Sequence, residues 1–564
     1  MQQITDRKWW QEGIVYQIYP RSFQDTTQNG IGDLQGVIKR LDYIKSLGVD
    51  IIWLNPVYES PNDDNGYDIS DYRKIMPEFG TMADFDLLLQ GMKERGLKLV
   101  MDLVVNHTSD EHQWFEASRQ SRENPYRDYY HWWPAEKGTP PKRWSYFDVD
   151  GTAWKYDEKT DAYYLHYFSV KQPDLNWENP KVREEIQDIM KFWFDKGVDG
   201  FRMDVISFIS KDTDFPELPK KYEGDFVPFY SEGPKLHEYL NELHQKVLSK
   251  YDVMTVGEAP GIGLDKALDF VDAERGELNM FFHFDLMSLD REANEVFLIR
   301  KSPWKLSEFK KVHSAWDKVF AEKGWGSMYL NNHDFPRSVS RWGNDSVSHW
   351  YNSATMLHTF LLTMRGTPYF YYGEEIGMTN IKFDTISEYR DINTINRYEI
   401  IQKEGGDLDA FIENEKSASR DNARTPMQWD ATAHSGFSKE RPWLKVNDNY
   451  QEGINVAAQE ADRLSVLHYF RKMVQVRKSN PALIHGDYEL LRPEHEEIYA
   501  YTRTLGQDRF LVLLSFSTER AKINLDMVVF DTATAIISNA SEAEQHQGKT
   551  FELVPYQATV YRLR

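Results

Sequence analysis

The stretch FDLLLQGMKERGLKLVMDLVVNH, residues 85–107, decides the fold expected of this chain. Its first half has apolar residues at helical spacing and ends in Gly96, whereas its second half is an almost unbroken apolar run that leads to His107. Apolar runs of this kind are typical of parallel strands that are buried on both faces. The stretch therefore predicts a helix followed by a buried parallel strand.

The same alternation recurs along most of the chain. Amphipathic segments at 33–48, 182–197 and 236–251 lie between several strand-like segments. The predicted strands are IVYQIYP (14–20), VDIIWLNP (49–56), LKLVMDLVVNH (97–107), GFRMDVI (200–206), DVMTVGEA (252–259), MFFHFD (280–285), SMYLNNHD (327–334) and TPYFYYGEE (367–375). Eight strand–helix units predict an α/β fold, the (β/α)8 TIM barrel.

Two long departures from this rhythm predict further domains. Residues 107–175 follow the third strand, where a single helix would suffice, and so predict an inserted subdomain. Residues 481–564 have short alternating strands that indicate a C-terminal β-sandwich. The barrel is then expected to comprise residues 1–106 and 176–480, with a polar excursion at about 380–440.

Composition excludes several classes of function. The chain has 564 residues, no cysteine and a formal net charge of −22 at pH 7. Nucleic acids and anionic membranes are bound through Lys and Arg, so neither is an expected partner. No stretch approaches the roughly 20 apolar residues of a membrane span, and the start lacks the apolar run of a signal peptide. We expect a cytoplasmic monomer without disulfides, whose many aromatic residues stack on neutral sugars or fill a large core.

Ionisable residues stand at the ends of several predicted strands, and in a TIM barrel these ends open on the face that holds active sites. They are Asp102, His107, Arg202, Asp204, Glu258, His333 and Asp334. A lone carboxylate at a strand end is more often a cap or an ion-pair partner. Three converging carboxylates suit glycoside hydrolysis, in which one attacks the anomeric carbon and another protonates the leaving oxygen.

The motifs around these residues resemble a known family. DLVVNH (102–107), GFRMD (200–204), GE (257–258) and NNHD (331–334) resemble, in this order, the four signature regions of the α-amylase superfamily, glycoside hydrolase family 13. QPDLNW (172–177), DDNGYDISDY (63–72) and SRDNARTPMQWD (419–430) resemble its oligo-1,6-glucosidase branch, which includes isomaltases, dextran glucosidases and sucrose isomerases. The resemblance covers essentially the whole chain.

The resemblance implies a role for each carboxylate. Asp204 is implied as the nucleophile, Glu258 as the general acid/base and Asp334 as the residue that stabilises the transition state. Arg202, two residues before Asp204 on a strand, points to the same face and should keep the nucleophile ionised. Glu258 must keep its proton near neutral pH, so its surroundings should raise its pKa. No cofactor is expected for catalysis.

The resemblance also implies a sugar-binding pocket. Its residues are Asp64, Tyr67, His107, Phe147, Phe168, Gln172, Arg202, Val205, His333 and Arg420. Tyr67 is implied to stack beneath the terminal sugar, while Asp64 and Arg420 hold its distal hydroxyls and close the pocket. A pocket that is closed at this point implies exo action, in which the enzyme removes the terminal sugar of its substrate.

The residue after the nucleophile bears on bond specificity, because in this branch a Val there resembles α-1,6-acting enzymes. Val205 therefore implies a retaining enzyme that releases α-glucose from the non-reducing end of isomaltose and isomalto-oligosaccharides. An α-1,4-glucosidase acting on maltose, or a sucrose isomerase or transglucosylase, would use the same three carboxylates. Phe335 and Pro260 depart from the pattern of the branch and are expected to border the leaving-group subsite. Amino-acid transporter heavy chains are non-enzymatic relatives that carry a membrane span and have lost the catalytic carboxylates. This chain has neither trait.

The loop DTTQNGIGD, residues 25–33, has the spacing of a cation site. Oxygen ligands recur at every second position: Asp25, Thr27, Asn29, the carbonyl of Ile31 and Asp33. Relatives carry a loop of the type D-x-N-x-D-G-x-G-D. In this chain Thr27 replaces the Asn and Asn29 replaces the second Asp, so one formal charge is lost. Because affinity follows carboxylate count, we expect a weakened structural site for Ca²⁺ or Mg²⁺ that takes no part in catalysis.

Overall fold

Eight parallel strands form the central sheet of the computed structural model, which describes residues 7–147, 151–222, 225–231, 233–292, 302–540 and 545–564. The strands are β1 (Val15–Ile18), β2 (Ile51–Leu54), β3 (Lys98–Val104), β4 (Gly200–Asp204), β5 (Met254–Glu258), β6 (Met280–Phe282), β7 (Ser327–Met328) and β8 (Thr367–Tyr371). Their order is β6-β5-β4-β3-β2-β1-β8-β7, the order of a barrel opened at one seam. The predicted (β/α)8 fold is confirmed.

The seam between β6 and β7 is joined by side chains. The hydroxyl of Ser327 donates to the carbonyl of Phe281 at 2.8 Å, and the hydroxyl of Tyr329 donates to the carbonyl of His283 at 2.7 Å. These side-chain bonds take the place of backbone hydrogen bonds between β6 and β7, because β7 has only two residues. The barrel is therefore nearly closed.

Helices cover the outside of the barrel. They are Leu34–Lys39, Leu41–Ser46, Met82–Glu94, Pro180–Lys196, Leu236–Lys246, Ala267–Val271, Leu306–Lys323, Trp350–Thr363 and Val466–Ser479. Pro180–Lys196 shows how the sequence sets their limits. The side chain of Asn179 accepts from the amide of Lys181, Pro180 occupies the first helical position, and Gly197 ends the helix at φ 109°. Its apolar side then packs on the sheet.

The insertion after β3 has a small antiparallel sheet made of Trp132–Pro134, Ala162–Leu165 and Trp154–Asp157. A buried ammonium group joins this insertion to the barrel. Lys211 Nζ lies 3.1 Å from Asp174 Oδ2, 2.8 Å from Asn106 Oδ1 and 2.8 Å from the carbonyl oxygen of Phe208. Both Lys211 and Asp174 are buried, so each satisfies the charge of the other away from water.

The end of the chain forms an antiparallel domain. A six-stranded sheet contains Asp487–Leu491, Ile498–Leu505, Asp508–Ser515, Ala558–Leu563, Ala533–Ser538 and Gln545–His546, and a second sheet pairs Ala521–Asn524 with Thr550–Leu553. Apolar residues of both sheets form one buried cluster, as in a sandwich. The excursion after β8 contains the helices Ile392–Glu404 and Leu408–Ala418. In the described part of the chain, no helix has the length and apolar character needed to cross a membrane.

Candidate active site

Arg202 lies at the centre of three carboxylates. Its Nη1 is 2.9 Å from Asp102 Oδ1 and 2.5 Å from Asp204 Oδ1, and its Nη2 is 2.7 Å from Glu258 Oε2. Strand register explains the arrangement, because Arg202 on β4 pairs with Asp102 on β3 and with Val256 on β5. One guanidinium group therefore holds the two predicted catalytic carboxylates side by side.

The two carboxyl groups have different protonation equilibria. Burial raises the pKa of Asp204 to about 6, because the ion pair with Arg202 lowers it but does not cancel the loss of solvent. Burial raises the pKa of Glu258 to about 8; Arg202 opposes this shift, and the negative charges of Asp204 and Asp334 add to it. Near pH 7 Asp204 is mainly ionised and Glu258 mainly protonated.

Asp334 lies among positive and hydrogen-bonding groups. Its Oδ1 is 2.9 Å from Arg424 Nη2 and 3.2 Å from Arg420 Nη1, and its Oδ2 is 3.1 Å from His333 Nε2. Burial alone would raise the pKa of Asp334, but His333 and the two guanidinium groups hold it below its usual range. Its side chain is 27% exposed, against 10% for Asp204. Asp334 is thus an ionised group that a ligand can reach.

The tautomer of His333 follows from its neighbours. Burial lowers the pKa of His333 to about 3, so the ring is neutral at physiological pH. The amide nitrogen of Gln17 is 2.9 Å from His333 Nδ1 and can only donate, so Nδ1 accepts and Nε2 carries the hydrogen. In neutral His333 the hydrogen on Nε2 is therefore on the side of Asp334, whose Oδ2 lies 3.1 Å away.

Tyr67, Asp64 and Gln172 form one end of the pocket. The ring of Tyr67 stacks on His333 with centroids 5.1 Å apart, and its hydroxyl accepts from Asn55 Nδ2 at 2.7 Å. Asp64 Oδ1 is 3.5 Å from Arg420 Nη2, and Asp64 Oδ2 accepts from Gln172 Nε2 at 3.4 Å. Burial raises the pKa of Asp64 to about 7, and Arg420 opposes the shift. This end is closed by paired polar groups.

Aromatic rings from the insertion extend the pocket. His107 Nε2 lies 3.1 Å from the carbonyl oxygen of Tyr67, and its ring is 5.1 Å from that of Phe168. Phe147 is 5.7 Å from Phe168, and the guanidinium carbon of Arg420 lies 5.1 Å from the centroid of the Phe147 ring. These contacts place Tyr67, Asp64, His107, Gln172, Phe147, Phe168 and Arg420 close together, and Arg420 joins them to Asp334.

The family follows from comparison with known proteins. Residues 17–486 match the family described as Alpha amylase, catalytic domain, and residues 488–560 match Maltogenic Amylase, C-terminal domain. The chain belongs to the α-amylase family of glycoside hydrolases. The resemblance that the motifs indicated is confirmed.

Individual members of the α-amylase family resemble this chain along its whole length. Oligo-1,6-glucosidase of Parageobacillus thermoglucosidasius is 52% identical over 568 residues, which cover 99% of this chain and 100% of that protein. The crystal structure of isomaltulose synthase from Protaminobacter rubrum is 45% identical with a TM-score of 0.96, covering 99% of this chain and 100% of that one. An isomaltulose synthase variant from Erwinia rhapontici in complex with its natural substrate sucrose is 45% identical with a TM-score of 0.95, over 99% of both chains.

Val205, which follows Asp204, has a backbone conformation that is unusual for a β-branched residue. Its φ of 35° and ψ of 41° are left-handed, and its amide donates to Glu258 Oε2 at 3.0 Å. The two residues that depart from the pattern of the branch, Phe335 and Pro260, are both in contact with other parts of the protein. The Phe335 ring is buried beneath the guanidinium group of Arg341, and the carbonyl of Pro260 accepts from the hydroxyl of Ser231 at 2.5 Å.

Two functional residues escaped sequence reasoning. Asp391 caps the helix Ile392–Glu404, and its Oδ1 accepts from Arg420 Nε at 2.8 Å and from Nη2 at 2.5 Å. Arg424 lies in the motif SRDNARTPMQWD, four residues after Arg420, and helical spacing could have placed both on one side. Asp391 has no comparable signal, because it meets Arg420 only through the fold of the excursion.

The two carboxylates of the loop at 25–33 accept hydrogen bonds from protein groups. Asp25 accepts from the amides of Thr27, Gln28 and Gly30 at 2.8–2.9 Å and from the hydroxyl of Ser438 at 2.6 Å. Asp33 accepts from the amide of Thr26 and caps the next helix through the amide of Gly36, both at 2.7 Å.

The oxygen types of this loop fit a hard cation, but only the remaining lone pairs of its two carboxylates are available. Thr27 and Asn29 are exposed and Ile31 is half-buried, so the other expected ligands lie towards the surface. Over the residues that the structure describes, no three or more acidic or histidine side chains are grouped so that they could hold a metal ion. A cation in the loop would therefore need the Thr27 hydroxyl, the Asn29 amide oxygen and the Ile31 carbonyl.

Proposed function

We propose that this chain is a retaining, exo-acting α-glucosidase that releases α-glucose from the non-reducing end of short α-1,6-linked oligosaccharides. The observation that carries the proposal is that the carboxyl groups of Asp204 and Glu258 share the guanidinium group of Arg202, and burial raises the pKa of Glu258 above that of Asp204. Oligo-1,6-glucosidase, the name of a full-length relative at 52% identity, supports the linkage.

The geometry supports a double displacement. The Asp204 carboxylate attacks the anomeric carbon while Glu258 gives its proton to the glycosidic oxygen, so the bond to the leaving sugar breaks and a glucosyl ester forms on Asp204. Glu258, now a carboxylate, takes a proton from water, which attacks the same carbon and releases Asp204. Asp334 stabilises the positive charge that develops on the sugar ring. Each displacement inverts the configuration of the anomeric carbon, so two displacements release glucose as the α-anomer.

The closed end of the pocket supports exo action. Asp64 and Arg420 face one another there, and Asp391 fixes the guanidinium group of Arg420. A glucose whose distal hydroxyls are bound by these groups has no room for a further sugar unit. The substrate must then enter with its non-reducing end first.

We predict a bell-shaped dependence of kcat/KM on pH. Asp204 has to be ionised, so activity should fall as the pH drops below about 6; Glu258 has to be protonated, so activity should fall as the pH rises above about 8. The two limbs report apparent values for the coupled pair. Initial rates with isomaltose across this range measure both, and a profile without an alkaline fall would contradict the acid role of Glu258.

A sucrose isomerase or transglucosylase is the second candidate, because two solved structures that match this chain at TM-scores of 0.96 and 0.95 are isomaltulose synthases. Incubation with isomaltose, maltose and sucrose, followed by chromatography and early proton NMR, separates the possibilities. Our proposal expects α-glucose as the first product from isomaltose and little conversion of sucrose to another disaccharide. Initial β-glucose would contradict retention, and a disaccharide as the main product from sucrose would favour the isomerase.

Val205→Ala is expected to raise the maltose-to-isomaltose ratio of kcat/KM by roughly tenfold, since one or two methylene contacts discriminate by about 1–3 kcal/mol. The expected physical reason is that the Val205 side chain, whose backbone amide contacts Glu258, crowds an α-1,4-linked leaving sugar. Kinetics of both disaccharides measure the ratio. Phe335→Gln is the matched control because Phe335 is buried against Arg341. A ratio that moves only in Phe335→Gln would contradict the role of Val205, and a wild type that prefers maltose would contradict the α-1,6 linkage.

We also propose that the loop at 25–33 is a weak structural site for Ca²⁺ or Mg²⁺. Asn29→Asp restores the lost carboxylate and should increase the rise in Tm that millimolar Ca²⁺ produces after chelation, because a ligand stabilises by mass action. Differential scanning fluorimetry with and without Ca²⁺ measures this difference. Thr432→Ala, in a neighbouring turn, serves as the control. An Asn29→Asp variant with no larger response to Ca²⁺ than the wild type would argue against a cation site.

The remaining sequence predictions concern the state of the protein. We infer a monomer in the cytoplasm, and the lack of cysteine agrees with that compartment. Small neutral oligosaccharides are its expected partners, and the net charge of −22 disfavours nucleic acid. Light scattering during size-exclusion chromatography tests the oligomeric state.

A further inference from the structure

The turn at Val205 holds a β-branched residue in left-handed backbone geometry. At φ 35° and ψ 41° the side chain is crowded by its own backbone, and such residues persist only where surrounding structure imposes them. The turn connects β4 to the 3₁₀ helix Ile206–Phe208. Val205 follows Asp204 in the chain, and its amide contacts Glu258.

Packing accounts for the persistence of this turn. The Val205 side chain is only 7% exposed and belongs to an apolar cluster with Tyr167 of the insertion, Phe208 and Phe226. The next residue, Ile206, lies against Gly257: a Cβ added at Gly257 would lie 2.9 Å from Ile206 Cγ2. Apolar contacts from several elements therefore hold the turn against its intrinsic preference.

The left-handed turn directs the Val205 amide at Glu258. The N–H donates to Glu258 Oε2 at 3.0 Å, and the same oxygen lies 2.7 Å from Arg202 Nη2. A backbone N–H and a guanidinium group donate hydrogen bonds but accept none. The acidic proton of Glu258 must therefore lie on Oε1, the oxygen left for the substrate.

We propose that the backbone amide of Val205 is a positioning donor, which turns Glu258 Oε1 towards the glycosidic oxygen and stabilises the carboxylate that remains after proton transfer. The proposal rests on the proposed function, in which Glu258 is the acid/base. It assigns to the main chain of Val205 a role distinct from the effect of its side chain on linkage.

Several charged groups face Glu258, and the amide acts together with them. They are Arg202, Asp204, Asp334 and Asp102, with the phenol groups of Tyr146 and Tyr329. Of these, Arg202 shares Oε2 with the amide, and the carboxylates repel the ionised form of Glu258. Removing the amide donor would make Glu258 harder to ionise and therefore a weaker acid.

Replacement of the 204–205 amide by an ester tests the donor directly. Incorporation of 2-hydroxy-3-methylbutanoic acid at position 205 removes the N–H and keeps the side chain. The alkaline limb of kcat/KM should rise by about one pH unit, because a hydrogen bond to a charged group has this order of effect. Hydrolysis of isomaltose should slow by about tenfold, while α-glucosyl fluoride, whose leaving group needs little protonation, should react nearly as before.

Val205→Gly is the matched control. Glycine accepts positive φ without strain and retains the N–H, so its alkaline limb should stay at the wild-type position even if linkage preference changes. An ester whose alkaline limb coincides with that of the wild type would overturn the proposal. A Val205→Gly variant whose limb moves as far as that of the ester would also overturn it, because the effect would then belong to the side chain.

A measurement on the unsubstituted backbone covers the case in which the ester does not fold. In protein labelled with ¹⁵N-valine, the Val205 amide resonance, assigned by its loss in Val205→Gly, should titrate with the alkaline limb. The titration should vanish in Glu258→Gln. An amide that does not titrate would refute the donor alone, whereas wild-type turnover of isomaltose by Glu258→Gln would refute the proposed function.

Discussion

Asp204→Asn is expected to lower kcat for isomaltose by roughly 10⁴-fold or more, the scale on which nucleophile variants lose turnover. An amide cannot form the glucosyl ester, so the covalent route is closed. The fold should persist, because Asn has nearly the same volume and Arg202 keeps its ion pairs with Asp102 and Glu258. Steady-state kinetics, with circular dichroism as the check on folding, measure both parts of this prediction.

The stereochemistry of a rescue reaction tests the assignment further. Asp204→Ala leaves room for azide on the face that the carboxylate occupied, so azide and α-glucosyl fluoride should give β-glucosyl azide by a single inversion. Asp102→Asn, which alters another partner of Arg202, should give no azide product. Near-normal hydrolysis by Asp204→Asn would exclude Asp204 as the nucleophile, and α-glucosyl azide from Asp204→Ala would show that a covalent intermediate still forms.

Glu258→Gln is expected to slow isomaltose hydrolysis by roughly 10²–10⁴-fold, the usual contribution of general acid–base catalysis. The loss should depend on the leaving group. The glucose that leaves from isomaltose needs a proton on its departing oxygen, whereas fluoride departs without one, so glucosylation of Asp204 by α-glucosyl fluoride should remain fast. A burst of fluoride followed by slow turnover would reveal the accumulated intermediate.

Azide distinguishes the two carboxylates by product. In Glu258→Ala the intermediate on Asp204 still forms, and azide attacks it with a second inversion, so α-glucosyl azide should appear. The opposite anomers from Asp204→Ala and Glu258→Ala would fix the roles of both residues. If the rate of glucosylation in Glu258→Gln fell equally for isomaltose and α-glucosyl fluoride, with no fluoride burst, Glu258 would act by positioning rather than by proton transfer.

Much of the barrel could be predicted from sequence because its buried strands are almost purely apolar. The limits of β7 could not, since residues 327–334 are an apolar start followed by a polar motif and only Ser327 and Met328 pair with β8. No feature of these residue types distinguishes the strand from the loop that carries His333 and Asp334. Hydrogen bonding between strands, which is a tertiary property, made the difference.

The candidate site was predictable where a short motif carries the chemistry. The motifs GFRMD and NNHD located Arg202, Asp204, His333 and Asp334, which the structure brings together around the pocket. Asp391 was not predictable, because its contact with Arg420 depends on how a long excursion folds back. Nor could the left-handed turn at Val205 be foreseen, since local propensity disfavours positive φ for a β-branched residue and only packing overrides it.

The ammonium group of Lys211 joins the insertion to the barrel without a dissociable ion. A dissociable ion would stabilise the junction only in proportion to its occupancy, which follows its free concentration. A charge that is covalently part of the chain keeps the same local concentration on dialysis or dilution. The contact of Lys211 with Asp174 therefore needs no bound cation, and chelation or dialysis should leave it in place.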